Sequence, residues 1–310
     1  MKSFEDICKM SQPEVKSYMH KYLVSKKYSV INRDGFLYAA GDIPVLIVAH
    51  MDTVHATLCK DITNINGKLS SPQGIGGDDR CGIFMIMNII KELHCSVLLC
   101  EDEEIGGVGA KKFINSDYAK DVDVNYIIEL DRRGSCDAVF YSCDNKEFKE
   151  FICDTIGFRE AFGSFSDISI LAPALKIAAV NLSCGYYNAH TMNEYVVYDE
   201  MMDVVDAVKA LITVESEKFE YVAKKYGYLY SNPSDYYFRK DDQYSMFETN
   251  SLKDRIKDDL EIEIEVIWTD VMGNEDVGYG RGNTKAEAWL DFFMGNEHVS
   301  FDMIEDYSFN

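Results

Sequence analysis

Five short segments of the chain bring metal-ligand side chain types together beside glycines or at the ends of apolar runs. They are His50-Met51-Asp52-Thr53-Val54, Gly76-Gly77-Asp78-Asp79-Arg80, Glu101-Asp102-Glu103-Glu104-Ile105-Gly106-Gly107, Glu129-Leu130-Asp131-Arg132-Arg133 and Asn188-Ala189-His190. Those at His50, Glu101 to Glu104 and Asp131 directly follow runs that read as buried strands, and ligands enter a parallel sheet at the carboxyl ends of its strands. A lone histidine after a strand is usually structural, and a lone Glu-Glu pair is usually a solvated turn. Five such segments in one register are not explained that way. Imidazole and carboxylate suit divalent cations, and the charges favour a pair of them. Asp78, Glu104 and Asp131 with one bound hydroxide balance two Zn²⁺, with His50 and His190 as neutral ligands. Two ions roughly 3.5 to 4 Å apart need a bridging carboxylate, for which the loop residue Asp78 is the candidate. Glu103, beside a ligand yet free to face a substrate, fits a general base. Asp52, two residues beyond His50, is placed to hold the imidazole tautomer from behind.

At these residues the sequence resembles the co-catalytic zinc peptidase superfamily. That superfamily contains the bacterial leucyl aminopeptidases, the tetrahedral aminopeptidases, tripeptidases of the peptidase T type and related zinc carboxypeptidases. The resemblance runs through the ordered series HxD, GGDDRxG, DEEIGGxGA, LD and AH, from about residue 43 to 200, roughly half the chain. Ser166-Asp167, ahead of the last strand, is similar to the family's SD or TD pair. The resemblance implies that His50 and Asp131 hold one zinc, Glu104 and His190 the other, that Asp78 bridges, and that Glu103 is the base. Co²⁺ or Mn²⁺ would be substitutes, and the Asp78-Asp79 peptide would be cis. Only 27 residues separate His50 from Asp78, and 58 separate Asp131 from His190. Neither the insertion of the tetrahedral enzymes nor the lid of the tripeptidases fits there, which leaves a bare catalytic domain, as in the leucyl aminopeptidase branch.

The expected activity is therefore a dinuclear zinc exopeptidase, an aminopeptidase on short peptides, in which a metal-bridging hydroxide attacks the scissile amide. Two alternatives stand beside it. One is a zinc amidohydrolase or carboxypeptidase-like deacylase of N-acyl amino acids, with Arg132 or Arg133 gripping a carboxylate rather than pairing with the acidic site wall. The other is a non-catalytic peptidase-like scaffold whose acidic tail, with Trp268 and Trp289, binds a basic partner. Tyr186 and Tyr187, just before His190, are either oxyanion donors or strand-end packing. His55 reads as a spectator near the site, and His20, His94 and His298 as surface residues. Gly74-Ile75-Gly76-Gly77 and Gly106-Gly107-Val108-Gly109 lack the Lys-Ser or Lys-Thr of a phosphate loop and read as tight turns.

The elements that must position these residues read as α/β. Apolar runs at Ile43 to Ala49, Ser96 to Cys100, Val124 to Leu130 and Lys176 to Leu182 alternate with helical patterns at Gly82 to Leu93, 107 to 115 and Asp199 to about Lys218. This predicts a three-layer α/β/α domain with a mostly parallel central sheet. Residues 4 to 27 read as one helix, and Asn32 to Gly35 as a hairpin turn. The domain would span 1–218, an aromatic connector 219–240, and an acidic α+β appendage 241–310. The appendage has an alternating strand at Leu260 to Val266, a turn at Gly273-Asn274 and a helix from Thr284 to Met294.

The 310 residues include 53 acidic and 31 basic side chains, a net charge of −22. No basic run exceeds two residues, which excludes a nucleic-acid partner. The segment from Asp241 to Asn310 holds 18 acidic and 5 basic residues. Its charge would repel acidic peptides or hold partners in a homo-oligomer. At 47% hydrophobic the chain can bury a large core. The absence of an 18-residue apolar stretch or a signal-like N-terminus points to the cytoplasm and no membrane. The nine cysteines, an odd number without CxxC spacing, read as reduced, buried small hydrophobes.

Overall fold

A computed structural model describes residues 1–224, 262–269, 275–282 and 304–309. The chain divides into two compact units, Met1–Gly227 and Tyr228–Asn310. In chain order, the first unit begins with helices α1 (Phe4–Cys8) and α2 (Gln12–Ser25), strands β1 (Val30–Arg33), β2 (Phe36–Ala39) and β3 (Ile43–His50), and the short β4 (Thr63–Ile65) and β5 (Lys68–Ser70). Next come α3 (Gly77–Ile89), β6 (Cys95–Cys100), α4 (Val108–Ile114), a 3-10 turn at Asp117–Asp121, β7 (Tyr126–Arg132), β8 (Asp137–Val139) and α5 (Lys146–Ile156). The unit continues with β9 (Arg159–Ala161), α6 (Ile168–Leu175), β10 (Ala179–Ser183), β11 (Tyr186–Tyr187), β12 (Tyr195–Val197) and α7 (Tyr198–Thr213).

Eight strands form one sheet in the order β1-β2-β6-β3-β7-β10-β8-β9, and β6, β3, β7 and β10 at its centre are parallel. The apolar runs are continuous because these strands are covered on both faces. Val45, Ile47 and Ala49 of β3 face a core with α1, α2, α3, α5 and α7, while Leu46 and Val48 face a second core with α4 and α6. This is the expected three-layer α/β/α domain with a mostly parallel central sheet. A smaller sheet, β11-β12-β5-β4, carries the loop that follows β11.

Local differences from the sequence reading have local causes. The helical segment expected over 4 to 27 is divided into two helices, because Ser11 and Glu14 form a capping box and Pro13 sits in the first turn of a new helix. The last helix ends at Thr213, short of Lys218, and Phe219 then runs along the core. The backbone N–H of Phe219 donates to Asn125, and its ring packs on Tyr126, Phe148 and Phe151. Helices α5 and α6 and the two- and three-residue strands were not expected. Asp34-Gly35 is the hairpin loop, with Gly35 at φ 91.

In the second unit β13 (Ile262–Thr269) lies between β14 (Glu275–Gly282) and β15 (Ile304–Phe309), both antiparallel to it. The helix expected from Thr284 to Met294 and the turn at Gly273-Asn274 lie outside the described residues. Among the described residues no helix is long and apolar enough to cross a membrane.

Candidate metal centre

The strands deliver two ligand candidates directly. His50 is the last residue of β3 and Asp131 the penultimate residue of β7, on the sheet face of Leu46, Val48 and Ile127. Asp78 and Asp79 lie where α3 begins. Their dihedrals (φ −83, ψ 101 and φ −120, ψ 47) are not helical, and the peptide between them is cis. Glu103 and Glu104 follow β6, and His190 stands in the β11–β12 loop at φ 65.

These residues converge. His50 Nε2 lies 3.0 Å from Asp78 Oδ1 and 3.4 Å from Asp131 Oδ1. His190 Nε2 lies 3.2 Å from Asp78 Oδ2 and 3.1 Å from Glu104 Oε1. The two oxygens of Asp78 are thus divided between the two imidazoles, and Asp131 and Glu104 stand on either side. Ligand atoms of His50, Glu103 and Glu104 also lie within 4.8 Å of one another.

Two acids hold the backbone beneath the cluster. Asp52 accepts the N–H groups of Glu103 and Glu104, each at 3.0 Å, and lies 3.1 Å from His50 Nδ1. Asp79 accepts the N–H groups of His50 at 3.1 Å and Gly82 at 2.8 Å. Arg80, 1% exposed, donates to the carbonyls of Met51, Asp52 and Met10. On the outer side, α2 grips the loop after β6. Gln12 exchanges two hydrogen bonds with Asp102, and Lys16 reaches Glu101.

The donor set fits divalent cations. With Nδ1 beside Asp52, Nε2 of His50 faces two carboxylate oxygens, an arrangement that requires either a proton on Nε2 or a metal cation between them. Burial, reinforced by Asp78, raises Asp131 to about 7. Burial, reinforced by Asp131, Asp167 and Glu104 and opposed by His50, raises Glu103 to about 9. His50 is driven well above its usual value because Asp131, Asp52 and Asp78 overcome the opposing effect of burial. Hydrogen bonds to Asp78 and Glu104 raise His190 to about 11. These carboxylates therefore crowd into a volume that favours positive charge. Behind them, Ser166 joins Glu129 to Asp131, the latter at 3.0 Å, while the carboxylate of Asp167 is buried beside the Cys100 thiol.

The Tyr186 hydroxyl donates to the Asp131 carbonyl at 3.1 Å. The Tyr187 hydroxyl is bonded to Glu200, and its ring stacks on Tyr195. Strand alternation sends Arg132 away from Asp131, to Asp137 at 3.6 Å, and Arg133 is exposed. His94 stacks on Tyr28 and pairs with Asp42, and His298 lies outside the described residues. Sequence reasoning missed Glu194 altogether. Its only signal is an acid placed just before the apolar run of β12, four residues after His190.

No protein-family model matches the chain, and no curated protein matches it. Solved structures do. The aminopeptidase PepT from Bacillus cereus is similar with a TM-score of 0.58 at 16% identity, over 67% of this chain and 96% of that one. The fold is one that solved aminopeptidases share. A tripeptidase from Staphylococcus aureus has a TM-score of 0.56 at 13% identity, over 67% of this chain and 95% of that one. An aminopeptidase from the archaeon Desulfurococcus kamchatkensis has a TM-score of 0.55 at 14% identity, over 67% and 93%. At such identities the likeness is one of fold, and activity rests on the site.

Proposed function

We propose that the protein is a dinuclear zinc exopeptidase of the co-catalytic zinc peptidase type, acting as an aminopeptidase on short peptides. The observation that carries this reading is Asp78, whose two carboxylate oxygens are shared between His50 and His190. In this assignment His50 and Asp131 would hold one ion, Glu104 and His190 the other, and Asp78 would serve both. The carboxylate surplus suits two divalent cations, with Co²⁺ or Mn²⁺ as substitutes. When bound, such a pair acidifies water and polarises a carbonyl oxygen.

The chain's own groups do the rest. Glu103 takes the proton of the attacking water and returns it to the departing amine. Its burial keeps the carboxyl basic, and neutralising the carboxylates around it lowers it. Asp52 holds the His50 ring through Nδ1 and, by accepting two backbone N–H groups, fixes the loop that carries Glu103 and Glu104. Tyr186 steadies Asp131. The α-amine of a peptide finds carboxylates at this site, while Arg132 is engaged by Asp137, which favours an amine over an N-acyl amino acid as the recognised group. The nine unpaired cysteines suit a reducing compartment.

The test compares an aminoacyl anilide with an N-acyl amino acid as substrates, with and without chelator. Chelator-sensitive release of the anilide alone supports the aminopeptidase reading. Cleavage of the N-acyl amino acid alone would support the deacylase, and cleavage of neither would leave the non-catalytic scaffold.

A further inference from the structure

One buried carboxylate outside the ligand set joins three ligand-bearing segments. Glu194 is 0% exposed and stands four residues after His190. Its Oε1 accepts the N–H of Asp78 at 3.0 Å, and its Oε2 accepts the N–H of Gly76 at 2.8 Å. Oε2 also lies 2.9 Å from Nε2 of His55, five residues after His50. The His55 ring in turn rests on Gly74, at φ +77, where an added Cβ would come within 2.2 Å of the imidazole. Only glycine accommodates both that backbone and that contact.

The first N–H groups of a helix have no partner in the helix itself. At α3 this deficit falls on the residue whose carboxylate must stand between two imidazoles, and Asp78 lies outside helical dihedrals as well. The acid that supplies the missing acceptor comes from the His190 loop, and its own partner comes from the His50 loop. We propose that Glu194, held by His55, is the positioning residue that sets the Asp78 carboxylate between the two metal ions. The inference rests on the metal-centre reading above.

Glutamine separates positioning from simple space filling. Whichever end carries the amide nitrogen, Glu194→Gln turns an N–H donor toward the N–H of either Gly76 or Asp78, while shape and volume stay the same. The full chain, stripped with chelator, would be titrated with zinc against a chromogenic chelator and with Co²⁺ followed by visible absorption. Amide exchange of the peptide covering residues 74–78 would be measured in the metal-free state.

The expected result for Glu194→Gln is unchanged circular dichroism, zinc affinity weakened about 10 to 100-fold, as for other groups that support ligands, an altered Co²⁺ spectrum, and faster exchange at 74–78. His55→Gln, which keeps an N–H donor, should bind zinc better than His55→Leu. Wild-type affinity, Co²⁺ spectrum and exchange in Glu194→Gln would overturn the inference. If that variant does not fold, a His55→Leu protein that matches wild type in affinity and spectrum overturns it instead. A wild-type chain that binds no zinc defeats the metal-centre reading and this inference together. A wild-type chain that binds two, with Glu194→Gln unaffected, defeats this inference alone.

Discussion

His50 and His190 meet the same carboxylate from opposite ends, yet their side chains are 1% and 48% exposed. His50 ends a central strand, its backbone N–H is taken by Asp79 and its ring nitrogen by Asp52. Its companion Asp131 is likewise on a central strand, held by Ser166 and Tyr186. His190 stands in a loop between two-residue and three-residue strands, and its companion Glu104 follows a strand rather than ending one. The strand end is ordered before any ligand arrives. The loop end is open to solvent. We propose on this difference that the His50 end retains metal tightly and that metal exchange and substrate entry occur at the His190 end.

The largest effect expected is at Glu103, buried between the two ends. Glu103→Gln should retain metal and fold while losing about 10² to 10⁴-fold in kcat, the usual contribution of a positioned acid-base group. Near-wild-type turnover between pH 6 and 9 would remove Glu103 as the base. Glu104→Gln should instead lower metal occupancy, so the neighbouring pair separates proton transfer from ligation.

The two histidines test the comparison itself. His50→Ala should weaken binding of the ion assigned to His50 and Asp131 by more than the roughly 10 to 100-fold that a supporting group costs, because it also leaves the half-buried Asp52 carboxylate without its ring partner. His190→Ala should release one ion and keep the other. Equal losses in zinc titrations of the two variants would mean that strand and loop ends do not differ.

What could be read from sequence divides along a similar line. That His50, Asp78, Glu104 and Asp131 converge is legible because a charged or imidazole side chain at the end of an apolar run, or beside glycines, is costly to bury unless it is paired or binds a metal, whereas His190, exposed in a loop, is legible only through the resemblance of its segment. Glu194, Gln12 and the carbonyl contacts of Arg80 are not legible. They act on backbone groups far away in the chain, 116 residues in the case of Glu194 and Asp78, and no local pattern records such a pairing. The central strands were readable because burial on both faces makes them continuously apolar. The strands of the small sheet are too short to show a period, and the break at Ser11 was obscured because apolar residues continue on both sides of it.

Removing metal should expose the cost of the cluster in a pH-dependent way. Burial raises Asp167 to about 6, Asp131 to about 7 and Glu103 to about 9, so the folded metal-free chain holds protons that the unfolded chain has released. Stability present at mildly acidic pH is then lost as pH rises through these values, because the unfolded state binds fewer protons. The metal-bound state escapes much of this loss, since Asp131 as a ligand would already be deprotonated and cations would offset the charge on Glu103 and Asp167 beside it. The gap in Tm between loaded and chelated protein should therefore widen from pH 5 to 9, and a constant gap would argue against a cation-dependent cluster.

The smallest effect is expected from the second unit. All assigned ligands lie in Met1–Gly227, whose core already includes Phe219 and Tyr221. We propose that residues beyond Gly227 form an appendage not needed for bond cleavage. Truncation after Gly227 should leave zinc content and kcat unchanged. A soluble, zinc-loaded truncation that no longer cleaves what the full chain cleaves would place part of the active site in the appendage.

The central claim is that one carboxylate, Asp78, stands between two metal ions. Native mass spectrometry of the full chain, stripped and then titrated with zinc, tests it most directly. The account predicts two zinc ions per chain at saturation, and binding that stops at one ion, or does not occur, would contradict it.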